Sequence, residues 1–137
     1  MKSYVLDACA ILAFVLDENG AGKVERLLVQ AHSKKCLLFM NKINLLEIYY
    51  NIRREYDPDT FKEAYSRIIG LPIAIVDNIS DEVFYEAGRL KSQYKISLAD
   101  SIALAEAIIR GALLVTADHH EFDHLEKKEN IKFYWIR

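Results

Sequence analysis

Cysteine and proline are scarce in this 137-residue sequence, and each occurs only twice. The two cysteines, Cys9 and Cys36, form neither a metal-binding nor a redox-type pair, which excludes a disulfide-stapled fold and is typical of a reducing cytosol. Internal repeats, low-complexity tracts and linkers are also absent. We therefore expect a single cytoplasmic domain, residues 1–137, that folds without disulfides or a structural metal.

The sequence also lacks a long uncharged apolar segment. The apolar run after Lys2 is interrupted by Asp7 and closed by Asp17 and Glu18, and no small-residue cleavage site follows it directly. This run is far shorter than the ~20 residues of a membrane span. We interpret it as a core strand that continues into a helix, and we expect no membrane association.

An excess of positive charge is absent too, since the formal net charge is −2. Many nucleic-acid-binding domains are strongly basic, so this charge argues mildly against such a partner. Local basic clusters remain candidate phosphate contacts, although a solvated surface explains most such clusters. The clusters are Lys34–Lys35, Arg53–Arg54, Arg89 with Lys91 and Lys95, and Lys127–Lys128.

What the sequence does contain is a regular alternation of short apolar runs and amphipathic segments. The apolar runs predict strands at residues 3–6, 36–40, 72–76, 112–115 and 131–136. The segments between them predict helices at residues 8–16, 20–32, 41–56, 57–70, 80–94 and 97–110, with a short one after Asp118. This alternation predicts an α/β fold of three layers, α/β/α, around a central, mainly parallel sheet of four or five strands.

Acidic residues occur where such a fold places its functional site. In open α/β sheets, ligands bind beyond the carboxyl ends of the strands. Asp7 ends the first predicted strand, and Asp118 follows the fourth. Asp100 lies in the first turn of an almost wholly apolar helix, and Glu47 lies two turns into the helix after the second strand.

Each acid also has a simpler structural interpretation. Asp7 and Asp118 can cap the helices that follow them. Asp100 stands three residues after Ser97, the spacing of a capping box. Glu47 has polar neighbours on its helix face, as a solvated surface glutamate does.

As a set, the four acids indicate a metal site. Carboxylates that converge in a partly buried place repel each other unless they are protonated or hold a cation. Oxygen ligands suit Mg²⁺ or Mn²⁺, whereas the absence of nearby paired Cys or His argues against zinc. Such ions activate water and stabilise charge on a phosphoryl group.

Four segments, in a fixed order, carry a resemblance to a known family: YVLDACAIL, INLLEIYY, ISLADSIALAEA and LLVTADHHEFDHL. They resemble the signature segments of PIN domains, and most of all VapC-type toxins of toxin–antitoxin pairs, over almost the whole chain. The resemblance implies a PIN-like fold, Mg²⁺- or Mn²⁺-dependent cleavage of RNA, a homodimer, and a cognate antitoxin that covers or invades the site. It also implies that the metal-binding, catalytic acids are Asp7, Glu47, Asp100 and Asp118.

The resemblance further implies two auxiliary residues: Thr116, which orients the last acid, and Asp123. One departure from the family pattern follows the first aspartate, where Ala8 and Cys9 replace the usual nearby Ser or Thr. The missing hydroxyl weakens support for the metal without removing a ligand.

Three alternative functions remain open. His120 to His124 match the H-E-x-x-H motif of zinc proteases, but the predicted helix is short and few residues remain to supply a third ligand. A PIN nuclease for RNA maturation is a second alternative. A non-catalytic PIN-like module that binds protein or RNA is a third, against which the four acids argue because an unused acidic cluster costs stability.

Overall fold

The computed structural model describes residues 1–137 and contains five strands and seven helices. The strands are β1 (Lys2–Leu6), β2 (Cys36–Asn41), β3 (Ala74–Val76), β4 (Leu113–Thr116) and β5 (Phe133–Trp135). The helices are α1 (Ala8–Val15), α2 (Ala21–His32), α3 (Lys42–Glu55), α4 (Pro58–Ile69), α5 (Asp81–Gln93), α6 (Leu98–Arg110) and α7 (His119–Glu126). All predicted strands and helices are present, with ends within two residues of the predicted ones.

The five strands form one sheet in the order β3-β2-β1-β4-β5, and every pairing is parallel. The predicted parallel sheet is therefore confirmed, and it has five strands, the larger of the two predicted numbers. The edge position of β3 agrees with the proline just before it, because an edge strand tolerates a residue without an N–H donor. The central strand, β1, lies between β2 and β4, so its carboxyl end has a neighbour on both sides.

Helices cover both faces of the sheet, which confirms the three-layer architecture. Alternate side chains of β1 point to opposite faces, as a pleated strand requires. Tyr4 and Leu6 pack into a core with α1, α2, α3 and α4, whereas Val5 packs into a second core with α5, α6 and α7. None of the helices is long and apolar enough to cross a membrane.

The predicted helix boundaries follow from local capping. Side chains of Asp57, Ser80 and Ser97 each accept a hydrogen bond from the backbone N–H three residues later. Gly111 ends α6 in the left-handed region, with φ of 62°, which suits glycine. These caps fix where α6 starts, and therefore where Asp100 lies.

Candidate active site

Two of the predicted acids leave neighbouring strands at the same edge of the sheet. Asp7 directly follows β1, and its backbone N–H donates to the Val115 carbonyl of β4 at 3.3 Å. Asp118 follows β4 after one intervening residue, and its backbone N–H donates to the hydroxyl of Thr116 at 3.0 Å. Thr116 is fully buried, so this contact fixes the chain just before Asp118. The carboxyl edge of the sheet therefore presents both carboxylates side by side.

The capping contacts expected for these two aspartates are present. Oδ1 of Asp7 accepts from the N–H of Ala10 at 2.9 Å, and Oδ1 of Asp118 accepts from the N–H of Glu121 at 3.1 Å. Each bond occupies one carboxylate oxygen and fixes the rotamer of the side chain. Capping therefore holds each carboxylate in place and is compatible with a ligand on its second oxygen.

The capping box expected around Asp100 is only half formed. The hydroxyl of Ser97 accepts from the N–H of Asp100 at 3.1 Å, but the Asp100 carboxylate makes no return bond to the Ser97 backbone. The simpler structural explanation of this buried carboxylate is therefore incomplete.

Asn44 joins the helices that carry the remaining two acids. Its side chain is fully buried, and its Nδ2 donates to the Ala99 carbonyl at 3.1 Å, next to Asp100. This bond fixes the first turn of α6 against the half of α3 that carries Glu47. The prediction of a solvated polar face on α3 is thus wrong for Asn44, and Glu47 itself is half-buried rather than fully exposed.

All four predicted acids line one cleft of about 350 Å³. Its other lining residues are Ala8, Cys9, Leu12, Leu16, Glu18, Asn51, Ile52, Glu55 and Tyr56. No lysine or arginine is among them. The auxiliary residue Asp123 does not line the cleft. Its carboxylate is exposed and bonds to Nδ1 of His119 at 2.7 Å.

The carboxylates in the cleft are poorly compensated when ionised. Burial raises the pKa of Asp7 to about 7. Hydrogen bonds from Thr116 and Ala10 oppose this rise, and repulsion from Glu47 and Asp118 adds to it. Burial first, and the charge of Asp7 second, raise the pKa of Asp100 to about 8. The pKa of Glu47 is also raised, mainly by burial. At neutral pH the cleft thus favours a proton or a cation beside its acids.

The donor chemistry of the cleft fits a hard divalent cation. Its charged donors are all carboxylate oxygens, the ligands of Mg²⁺ and Mn²⁺. No three His, Cys, Asp or Glu side chains are spaced to ligate one ion together in this arrangement. Mg²⁺ commonly keeps several waters and uses only one or two carboxylates directly. The cleft therefore suits an ion held by few direct ligands and by the other acids through water.

Cys9 lines the same cleft but adds no ligand for a hard cation. Burial, with the charge of Asp7 as a second cause, raises the pKa of its thiol to about 11. A neutral thiol binds Mg²⁺ poorly, because thiolates suit soft metals. The position therefore lacks the oxygen that a Ser or Thr would provide.

The H-E-x-x-H segment does not form a zinc site. His120 and His124 are exposed on the eight-residue helix α7, and neither lines the cleft. The ring of His124 instead packs against Tyr94, with a centroid distance of 6.1 Å. No group of three potential ligands includes these histidines.

The sequence interpretation missed several cleft residues on α3. Asn51 and Glu55 lie four and eight residues after Glu47, so helical periodicity alone places them on its face. Tyr56, the last residue of the helix predicted at residues 41–56, is 50% exposed and lies at the rim of the cleft. Its backbone is extended because α3 ends at Glu55.

Comparison with known proteins identifies the family. Residues 4–128 match the family model described as PIN domain. The chain belongs to the PIN domain family. No curated protein matches this PIN domain in sequence.

Three solved structures show the same fold at low sequence identity. A DNA-bound VapBC from Salmonella typhimurium is 15% identical, with 100% of both chains covered and a TM-score of 0.76. A toxin–antitoxin complex from Klebsiella pneumoniae is 20% identical, covers 87% of this chain and 89% of its own, and has a TM-score of 0.59. VapC20 of Mycobacterium tuberculosis, a sarcin-ricin loop cleaving toxin, is 13% identical, covers 82% and 86%, and has a TM-score of 0.63.

Proposed function

We propose that this PIN domain is a Mg²⁺- or Mn²⁺-dependent endoribonuclease and the toxin of a type II toxin–antitoxin pair. One observation carries the proposal: carboxylates from four separate segments line a single cleft that contains no lysine or arginine. A structural cluster of this kind, without counter-charge, would only cost stability. Binding a cation is the function that gives the arrangement a physical reason.

The catalytic and metal-binding residues we propose are Asp7, Asp100 and Asp118, with Glu47 acting directly or through water. Asp7 and Asp118 are pre-oriented by their capping bonds, and the Thr116 hydroxyl positions the backbone of Asp118. When bound, Mg²⁺ or Mn²⁺ supplies water acidification and charge neutralisation at the phosphoryl group. We expect in-line hydrolysis that leaves a 5′-phosphate and a 3′-hydroxyl.

The proposed partners are an antitoxin and a second copy of the chain. VapBC and toxin–antitoxin complexes share this fold, which supports an antitoxin partner. Phe84, Tyr85 and Leu98 are exposed beside the groove between α5 and α6, and exposed apolar patches of this kind often mark interfaces. Sedimentation over a range of protein concentrations measures the proposed homodimer. We place its action in the cytoplasm, where both free cysteines stay reduced.

The central test is metal-dependent cleavage by the purified chain, free of antitoxin. Structured RNAs are incubated with Mg²⁺, Mn²⁺ or EDTA, and the ends of the products are determined. We expect cleavage with either metal, none in EDTA, and loss of at least about 100-fold in Asp7→Asn and Asp100→Asn. The exposed Asp59, changed to Asn, is the matched control and should retain activity.

Three outcomes would replace this proposal. Cleavage that persists in EDTA, or in both cleft variants, would exclude the metal mechanism. RNA binding without cleavage under any metal would indicate a non-catalytic module. Expression in bacteria separates the toxin from an RNA-maturation nuclease: we expect growth arrest that is abolished by Asp7→Asn, whereas a maturation enzyme would leave growth unchanged.

A further inference from the structure

The cleft poses an electrostatic problem for any RNA substrate. Six of its lining residues are acidic, and none carries a positive charge. The RNA backbone is itself anionic, so its phosphates are repelled from these carboxylates. Proteins that bind nucleic acid overcome this repulsion by placing Lys or Arg on flanking phosphates. A metal ion bound in the cleft offsets only part of this charge, so a basic side chain close to the cleft but outside its lining would favour RNA binding.

Most of the basic clusters in the sequence are badly placed for this role. Two clusters lie at the amino end of the parallel sheet, opposite the cleft: Lys34–Lys35 directly precedes β2, and Lys127–Lys128 lies a few residues before β5. The Arg89 guanidinium is engaged by Glu86 at 2.5 Å and by Glu129 at 2.8 Å. None of these residues lies free beside the acids.

Among the basic clusters, Arg54 is the exception. It is seven residues after Glu47 on α3, which places both on one helix face with a rise of about 10 Å between them. Its guanidinium carbon lies 5.5 Å from the ring centroid of Tyr50, which is three residues after Glu47 on the same helix. Arg54 is exposed and forms no salt bridge. A row of acid, aromatic ring and cation thus runs along the helix from Glu47 to Arg54, whose neighbour Glu55 also lines the cleft.

We propose that Arg54, stacked on Tyr50, binds a phosphate of the RNA backbone at the rim of the cleft. This inference rests on the proposed ribonuclease function. A guanidinium that stacks on an aromatic ring keeps its N–H donors free at the edge, in a plane suited to phosphate oxygens. Tyr50 is then a positioning residue, because its ring supports Arg54.

Arg53 provides a matched control. It is adjacent in sequence, has the same charge and is exposed, but a step of one residue turns it by about 100° away from the row that Arg54 completes. Arg53 makes no cation–π contact. Loss of either arginine removes the same charge from α3, so a non-specific charge effect should be equal in both variants. A specific phosphate contact should be lost only when Arg54 is changed.

The first measurement is binding of a short fluorescein-labelled single-stranded RNA of mixed sequence, by anisotropy in Mg²⁺ over a range of NaCl concentrations. An Asp7→Asn background prevents cleavage. We expect Arg54→Gln to weaken binding about 5- to 10-fold and to reduce the salt slope by about 0.7, the value for one phosphate contact on a single strand. Arg53→Gln should change affinity by less than about twofold.

Cleavage kinetics then separate positioning from a structural role. In the otherwise unchanged protein, Arg54→Gln should raise KM with little change in kcat, and Arg54→Lys should restore part of the loss. Tyr50→Phe should keep the RNA affinity because it retains the ring, whereas Tyr50→Ala should weaken binding about as much as Arg54→Gln.

Equal effects of Arg53→Gln and Arg54→Gln, or an unchanged salt slope in Arg54→Gln, would overturn the assignment. A protein that binds RNA through Arg54 but cleaves none with any metal would contradict the nuclease proposal and leave the phosphate contact standing. Normal metal-dependent cleavage, with no effect of Arg54→Gln on RNA binding, would contradict the phosphate contact and leave the nuclease proposal standing. The two proposals therefore fail separately.

Discussion

Carboxylates that are buried or partly buried have opposite environments in two acidic regions of the molecule. Glu129, whose side chain is 11% exposed, is bound by the guanidinium of Arg89 and by the hydroxyl of Tyr94. These contacts, with the Arg89 hydrogen bond the largest cause, hold its pKa below the usual range. In the cleft, by contrast, burial and neighbouring acids raise the pKa of Asp7 to about 7 and of Asp100 to about 8.

The difference supports different proposed roles for the two sets of carboxylates. A partly buried charge that serves stability is paired with a cation and hydrogen-bond donors, as Glu129 is. In the cleft, by contrast, no lysine or arginine of the chain lies among the lining residues. At neutral pH these acids therefore take up either a proton or a cation from outside the chain, and the cation is the physical basis for proposing a metal centre.

The largest expected effect is a difference in RNA cleavage between a variant in the cleft and a variant outside it. Asp118→Asn should reduce kcat/KM for RNA by at least about 100-fold, since asparagine preserves the helix cap but removes the charge. Asp123→Asn should reduce it by less than about 5-fold, because Asp123 contacts His119 outside the cleft. Comparable losses in both variants would extend the active site onto α7 and weaken the contrast drawn above.

The next effect concerns the paired carboxylate. Glu129→Gln should lower the free energy of unfolding at pH 7 by about 1–3 kcal/mol, less than for a fully buried pair because the Arg89 side chain is 38% exposed. The folded-state pKa is lowered, so this stabilisation is present above the ordinary value of 4.5 and is lost as the pH falls through the folded pKa. Urea unfolding at several pH values measures it.

The exposed Glu63, changed to Gln, is the control and should alter stability by no more than about 0.5 kcal/mol. An unchanged stability of Glu129→Gln at pH 7 would show that pairing contributes nothing here.

The third effect has the opposite sign. The folded-state pKa of Asp100 is raised from 3.8 to about 8. In metal-free protein, the protonated Asp100 therefore contributes its full stabilisation below pH 3.8, and this stabilisation is lost as the pH rises through about 8. Asp100→Asn should therefore stabilise the protein in EDTA by about 1–2 kcal/mol near pH 9 and by almost nothing near pH 4. Urea unfolding of both proteins measures this. A loss of stability near pH 9 would make the carboxylate structural.

Much of the fold followed from local signals in the sequence. Continuous apolar runs marked the strands, and Asp57, Ser80, Ser97 and Gly111 marked helix ends through contacts made within a few residues. The strand order could not be predicted this way, because it depends on which distant segments pair. Membership of the PIN family followed from the ordered segments rather than from any single one.

The candidate site was predictable only where position along the chain determines position in space. Strand ends placed Asp7 and Asp118 together, but three other features depend on packing between distant segments. Asn44 is buried because α6 lies over it, and Arg89 is engaged by a residue 40 positions away. The row from Glu47 to Arg54 needed both helical periodicity and the location of the cleft.

A crystal structure of the chain grown with Mn²⁺ is the most direct test of the metal centre, because anomalous scattering locates the ion independently of the protein atoms. The account predicts one Mn²⁺ in the cleft, contacted by Asp7, Asp100 and Asp118 directly or through ordered water, with Glu47 within reach. An ion bound elsewhere, or an empty cleft at millimolar Mn²⁺ with the four carboxylates protonated or turned apart, would contradict it.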